Sequence, residues 1–171
     1  MKPTIWQRLD MLARQLSPVL LTLMLVIINI LPFPLPDFAR VVPVLPLIAI
    51  YHWSVYAPEL MPTPAVFVVG LLFDILVGAP PGLNALIFLV VYGIVSGQRR
   101  FLIGKPFHIV WSGFAVVAAF AGAVSWVLTS AYYEHILNTE AFLVQGAITI
   151  GFFPVLDWLF LRWQRAFLEE T

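Results

Sequence analysis

The sequence has no cysteine and few charged residues. With no cysteine among its 171 residues, disulfides and thiol chemistry are excluded. Charged residues make up 11% of the chain, against roughly a quarter in a soluble domain. Nine basic residues balance nine acidic ones, so there is no basic excess that would indicate binding to nucleic acid. Since 61% of the residues are hydrophobic, the composition predicts an integral membrane protein.

Motifs of the common enzyme classes are also missing. The three histidines, His52, His108 and His135, are scattered, and none belongs to a His-Glu-x-x-His or other paired metal-binding pattern. The chain contains no Gly-x-Ser-x-Gly elbow, no Walker loop and no acidic cluster for a metal. We expect no enzymatic activity, no metal and no cofactor. An intramembrane enzyme of another type is a minor alternative.

Six apolar runs dominate the chain, most of them near the ~20 residues that a helix needs to cross a bilayer. A transmembrane β-barrel is disfavoured because runs such as residues 19–31 do not alternate in polarity. Residues 1–16 have the spacing of an amphipathic interfacial helix. The loops are short, so 1–171 is predicted to be one all-α membrane domain. The predicted spans cover about residues 18–35, 41–57, 64–78, 83–97, 109–131 and 141–161.

The basic residues fall on one side of these six spans. Eight of the nine Lys and Arg residues share a face, and only Arg40 lies on the other. The positive-inside rule then predicts that both termini are cytoplasmic. The eight residues are Lys2, Arg8, Arg14, Arg99, Arg100, Lys105, Arg162 and Arg165.

Prolines and aromatic residues add two local expectations. Pro43, Pro46 and Pro154 lie inside predicted spans, where they are expected to kink the helices. Aromatic residues near the predicted interfaces are expected to form the belts typical of membrane proteins. These residues are Tyr51, Trp53, Tyr56, Tyr132, Tyr133, Trp158 and Trp163.

The most distinctive local feature is the end of the third predicted helix. Gly70, Asp74 and Gly78 are four residues apart and share one helix face, so a second helix can approach closely beside a polar group. An ionisable residue in a membrane helix usually faces the protein interior. The favoured interpretation is that Asp74 caps the fourth helix or the turn before it, and direct ligand chemistry is the alternative. Asn84 is expected to be an N-cap.

Other polar and small residues receive structural interpretations. Asp157, near the end of the last span, is expected to extend towards the membrane surface. Asn29 and Gln145 are expected to form hydrogen bonds between helices. Small residues form further possible packing faces, either within the bundle or against another protein's helix, and packing within the bundle is the commoner case. These faces are Ala115, Ala119 and Ala123, with Ala118 and Gly122 beside them, and Gly93-x-x-x-Gly97.

The segment 70–86 resembles the MreD family of the bacterial rod-shape machinery. The family pattern is a Gly-Leu-x-x-Asp helix end, a small-residue turn with Pro-x-Gly or Pro-Leu-Gly, and then a short polar residue before Ala-Leu. Here it reads Gly-Leu-Leu-Phe-Asp at 70–74, Gly-Ala-Pro-Pro-Gly-Leu at 78–83 and Asn-Ala-Leu at 84–86. Pro81 stands where many members have leucine, and Asn84 where histidine is frequent. The basic loop at 98–100 and the Phe-Pro at 153–154 are also similar.

The resemblance implies a non-enzymatic scaffold of the bacterial inner membrane that supports peptidoglycan synthesis and cell shape. Its implied partners are MreC, then RodA, a class B penicillin-binding transpeptidase and MreB, in the lipid bilayer. It also implies a bundle similar to the S components of energy-coupling-factor transporters. The residues that we expect to serve partner binding or structure are Gly70, Asp74, Gly78, Pro81, Gly82, Asn84, Ala115, Ala119 and Ala123.

The main alternative function is that of a true S component, which would bind a vitamin-like solute. Such proteins resemble one another in an Ala-x-x-x-Ala face on the first helix, which contacts the coupling subunit. Residues 15–38 contain neither alanine nor glycine, which argues against this alternative. The sequence leaves open the oligomeric state and the helix face that contacts MreC.

Overall fold

Six α-helices and one short 3-10 helix form the part of the chain that the computed structural model describes, residues 5–31 and 41–167, with side chains for 16–31 and 41–166. The prediction of an all-α fold is confirmed. The 3-10 helix, Pro58–Leu60, connects α2 to α3. The helices are α1 (Ile5–Ile30), α2 (Leu45–Tyr56), α3 (Thr63–Val77), α4 (Leu83–Leu102), α5 (Phe107–Tyr132) and α6 (Thr139–Phe167).

Three of the helices are long and apolar enough to cross a membrane, counting only the described residues: Leu83–Leu102, Phe107–Tyr132 and Thr139–Ala166. The apolar part of α1 and the whole of α3 are shorter. Six crossings and cytoplasmic termini therefore stay predictions. One helix, α1, runs unbroken across the predicted boundary between an interfacial helix and a first span. Several predicted features lie outside the described residues: residues 1–4, the predicted loop at 33–40 and the side chains of Arg8 and Arg14.

The shortest α-helix, α2, lies at the centre of the bundle. Its residues 45–55 are all buried, among α1, α4, α5 and α6. A helix that is apolar on every side is buried either by other helices or by lipid. Its 12 residues extend about 18 Å, less than the ~30 Å of a hydrocarbon core. The helix α2 is thus the core of the bundle, which α1, α4, α5 and α6 enclose.

The prolines at the start of α2 begin this helix, so the prediction that they kink it is wrong. Pro43 precedes α2, and Pro46 lies in its first turn. Proline is favoured there because the first N–H groups of a helix have no partner within the helix. Pro154 does lie inside α6, as the sequence predicts.

Side chains from two other helices bind the backbone where α2 begins. The Leu45 N–H donates to Asn29 Oδ1 of α1 at 3.1 Å. The Val44 N–H donates to Thr149 Oγ1 of α6 at 3.0 Å, and the side-chain amide of Gln145 donates to the carbonyl of residue 42 at 2.8 Å. These bonds satisfy backbone groups that apolar surroundings would otherwise leave unpaired. Asn29 and Gln145 therefore connect helices, as the sequence predicts.

Basic side chains gather at the end of the bundle where α2, α4 and α6 finish, which we call the basic end. Arg99 donates to the carbonyl of Val55 at 3.1 Å and to Glu59 at 2.9 Å. The pKa of Glu59 lies below its ordinary value, first because its own backbone N–H donates to the carboxylate and then because of Arg99. Arg99 thus also fixes the end of α2. The described basic side chains here are Arg99, Arg100, Lys105, Arg162 and Arg165.

Two of the predicted interfacial aromatics belong to the core instead. Tyr51 and Trp53 are fully buried on α2, so their placement in an aromatic belt is wrong. The Tyr51 hydroxyl donates to the Val110 carbonyl of α5 at 2.9 Å. Gly113 makes this contact possible, because a Cβ there would lie 2.8 Å from the hydroxyl oxygen. Tyr132, Tyr133 and Trp158 are exposed.

Candidate functional site

The carboxylate of Asp74 caps α4 from the neighbouring helix. It is fully buried near the end of α3. Its Oδ2 accepts the N–H groups of Gly82 at 2.9 Å and Ala85 at 3.3 Å. Its Oδ1 accepts the backbone N–H of Asn84 at 2.9 Å and the side-chain amide at 2.8 Å. Four donors at the positive end of a helix compensate the negative charge, which is the capping arrangement that the sequence favours.

Gly70 brings α3 and α4 into backbone contact one turn before Asp74. A Cβ at Gly70 would lie 2.4 Å from Cα and 2.8 Å from N of Ala85. No side-chain rotation can relieve such an overlap, because both atoms are backbone. Gly70 therefore sets the short distance over which Asp74 reaches the start of α4.

The turn between α3 and α4 depends on two glycines with positive φ. Gly78, at φ 70°, ends α3, and Gly82, at φ 92°, precedes α4. Glycine adopts this conformation without steric cost. Gly82, and not Asn84, occupies the N-cap position, because α4 begins one residue before Asn84. Pro81 is exposed on the outside of the turn. We call the unit of Gly70, Asp74 and the turn 78–85 the α3–α4 corner.

A groove between α5 and α6 contains the predicted alanine face. Ala119 and Ala123 are exposed and line it, together with small residues of α6, Gly146 and Ala147. Its volume is about 410 Å³. Ala115 is half-buried and lies outside the lining. Ala119 and Ala123 are therefore open at the surface of the described bundle, and packing against another protein's helix stays a prediction.

The glycine pair of α4 also faces outward. Gly93 and Gly97 are exposed, and a Cβ at either would meet no atom within 4 Å. Within the described bundle these glycines allow no close contact, in contrast to Gly70. Small-residue faces on α4 and on the α5–α6 groove are thus open at the surface.

Comparison with known proteins identifies the family. The model of the rod shape-determining protein MreD matches residues 10–163, most of the chain. The chain belongs to the MreD family. No curated protein and no solved structure matches it, so the likeness to S components stays a prediction. MreD proteins act in rod-shape determination and are generally not enzymes.

The segment 70–86, which resembles the family pattern, takes its shape from the residues of that pattern. The Gly-Leu-x-x-Asp end supplies the close contact and the capping carboxylate, and the small-residue turn supplies the positive-φ glycines. The short polar residue, Asn84, adds a side-chain donor to Asp74. The motif therefore builds a rigid helical corner.

Sequence reasoning missed a buried polar pair that lies between α2 and α6. His52 Nδ1 lies 2.6 Å from Asp157 Oδ1, and both side chains are fully buried. The expectation that Asp157 extends to the surface is wrong, because its helix face packs against α2. The sequence is enough to place both residues near the basic end of their helices, but it holds no pattern that pairs them. Among the described residues, no three His, Asp or Glu side chains are arranged to hold a metal ion.

Proposed function

We propose that this chain is a non-enzymatic scaffold of the rod-shape machinery in the bacterial inner membrane. Its task is to bind the transmembrane helix of MreC and so to support peptidoglycan synthesis during elongation. RodA, a class B penicillin-binding transpeptidase and MreB are the further members of the assembly. Family membership supports the role in cell shape. The observation that carries the binding proposal is the open α5–α6 groove.

The lining of the groove suits a helix. Small side chains at Ala119 and Ala123 on one wall, and at Gly146 and Ala147 on the other, permit close backbone approach. Association of helices in lipid depends on such packing, because lipid tails are as apolar as the helices and the hydrophobic effect contributes little. A helix seated here gains contacts that lipid chains would fill less well.

The α3–α4 corner has a supporting role in this proposal. Its cap and its glycines fix the angle at which α4 leaves α3, and α4 packs against α5. The corner thereby holds one wall of the groove in place. Substitutions at Asp74 are expected to weaken MreC binding through the position of α5, without a direct contact.

We propose that both termini lie in the cytoplasm, with the basic end facing it. Because the chain has no cysteine, single cysteines report topology without background. In intact cells, a membrane-impermeant maleimide should label Ile136→Cys, in the exposed loop before α6, and not Lys105→Cys. The reverse pattern would contradict the orientation.

Disulfide crosslinking tests the groove directly. Ala123→Cys and Ala147→Cys in the groove are paired with a cysteine scan of the MreC transmembrane helix in native membranes. Val116→Cys and Val155→Cys are matched controls, because both side chains are exposed on α5 and α6 outside the groove lining. The groove positions should crosslink at helical spacing along MreC, and the controls should not.

Filling the groove tests its function. Ala119→Leu should reduce MreC recovery at least tenfold, which corresponds to about 1.4 kcal/mol, and rod shape should be lost at normal protein level. Val116→Leu should change neither. Crosslinks at Val116 with none in the groove, or normal recovery with Ala119→Leu, would show that MreC binds elsewhere.

A pull-down in mild detergent tests the wider assembly. Recovery of MreC with RodA and the transpeptidase supports the scaffold. Recovery of paired ATPase subunits with a coupling membrane protein would instead make this chain a transporter component.

A further inference from the structure

Asp74 and Asp157, both buried carboxylates, are stabilised in different ways. Four N–H donors at the start of α4 surround Asp74. Among the described residues, Asp157 has a single polar contact, with His52, and its other oxygen and the Nε2 of His52 are buried with no hydrogen-bond partner there. The charge of Asp157 is therefore balanced by one side chain that itself gains and loses a proton.

The number of protons on the pair decides its net charge. Neutral imidazole with carboxylate carries one negative charge, and one added proton makes the pair neutral, whichever atom holds it. A net charge in apolar surroundings is costly unless it is compensated. The distance of 2.6 Å is in the short range of charge-assisted hydrogen bonds. We propose that His52 and Asp157 form a proton-binding site whose bound proton holds α2 against α6.

The surroundings leave the pair without another counter-ion among the described residues. Aromatic rings of Trp53, Tyr56 and Phe160 lie 4.7–5.1 Å from the His52 ring, centroid to centroid. The described side chains of α1 include no titratable group. On the neighbouring elements, each of the following titratable groups either contacts another group of the protein or faces outward. These groups are Tyr51, bound to Val110; Tyr56, against the His52 ring; Arg99, bound to Val55 and Glu59; His108, exposed; and Arg162, exposed over Trp158.

Release of the proton leaves a negative charge between α2 and α6. The charge favours movement of the Asp157 carboxylate towards water at the basic end, which loosens the contact of α6 with α2. Over the pH range in which the folded chain keeps this proton and the unfolded chain has already released it, the ratio of folded to unfolded protein falls tenfold per pH unit as the pH rises. Rising pH therefore destabilises the bundle through this pair.

Nuclear magnetic resonance can observe the site alone, because the chain has only three histidines. The full chain with His108→Gln and His135→Gln, labelled with ¹⁵N-histidine in nanodiscs, is titrated from pH 5 to 10. We expect a one-proton transition at the His52 ring nitrogens and a melting temperature that falls as the pH rises towards this transition. With Asp157→Asn added, both changes should disappear.

Three results would overturn the proposal. The first is that the ¹⁵N signals of the His52 ring do not change across this range, and the second is that their transition persists unchanged with Asp157→Asn. The third is that the melting temperature does not fall as the pH rises towards the transition. Should Asp157→Asn fail to fold, the double variant His52→Gln with Asp157→Asn serves as the second variant, because it leaves no titratable group in the pair, and its melting temperature should lose the fall with rising pH. An unaltered fall in this double variant would equally overturn the site.

Discussion

Replacing Gly70 by alanine should separate α3 from α4 at the corner and destabilise the protein. The new Cβ would lie 2.4 Å from the Ala85 Cα, and ordinary contact begins at 3.4 Å, so the two backbones must move apart by 1.0 Å. Close packing leaves no space that absorbs such a shift. The change therefore acts on both the packing and the cap.

The magnitude follows from three contributions. Overpacking costs about 1–3 kcal/mol. A 1.0 Å shift stretches the 2.9 Å bonds from Gly82 and Asn84 to Asp74 beyond hydrogen-bond range, and a bond to a charged group contributes about 1.5–3 kcal/mol. Alanine regains about 1 kcal/mol over glycine in helix propensity. With one such bond counted as lost, the net loss in the free energy of unfolding is about 1.5–5 kcal/mol.

Reversible unfolding in mixed detergent micelles, followed by circular dichroism, measures this loss. Gly93→Ala and Gly97→Ala are matched controls, because a Cβ at either position meets no atom within 4 Å. Both should be as stable as the wild type or up to about 1 kcal/mol more stable. Equal stability of Gly70→Ala and the two controls would refute the argument from close packing.

Three further substitutions test the polar contacts with the same assay. Asp74→Asn should cost about 2–3 kcal/mol, because an amide turns an NH2 group towards backbone donors; wild-type stability would contradict the cap. Thr149→Val should cost about 1–3 kcal/mol by leaving the Val44 N–H unpaired, and a neutral result would mean that this N–H finds another acceptor. Gly113→Ala should destabilise the wild type but not Tyr51→Phe, which lacks the displaced hydroxyl; an equal loss in both backgrounds would exclude that contact as the cause.

The helices of the bundle follow from hydrophobic runs, and the corner follows from local spacing. Asp74 lies eight to eleven residues from the groups that it caps, so the turn glycines were enough to suggest the contact. The buried position of α2 could not be predicted in this way, because a core helix and a lipid-facing helix are both apolar on every side. Only its length, shortened by Pro43 and Pro46, distinguishes it.

The sequence alone could not predict the long-range contacts, nor whether the small residues face the bundle or the lipid, and the two reasons are related. His52 and Asp157 are 105 residues apart, and no local pattern links them. In lipid, both the inside and the outside of a bundle are apolar, so a stripe such as Ala119 and Ala123 has no polar face opposite it to indicate which way it points. The structure resolves both questions by the packing of α6 against α2 and α5.

The central position of α2 has a consequence for biosynthesis. Two of the side chains that satisfy its first backbone groups, Thr149 and Gln145, come from the last helix, more than 100 residues later in the chain. A ribosome therefore delivers α2 to the bilayer well before these two partners exist, with Asn29 of α1 as the partner already made. The segment is too short to remain alone in lipid, so it must wait at the insertion machinery or at the membrane surface. We therefore expect the start of α2 to reach its final hydrogen bonding only after α6 is complete.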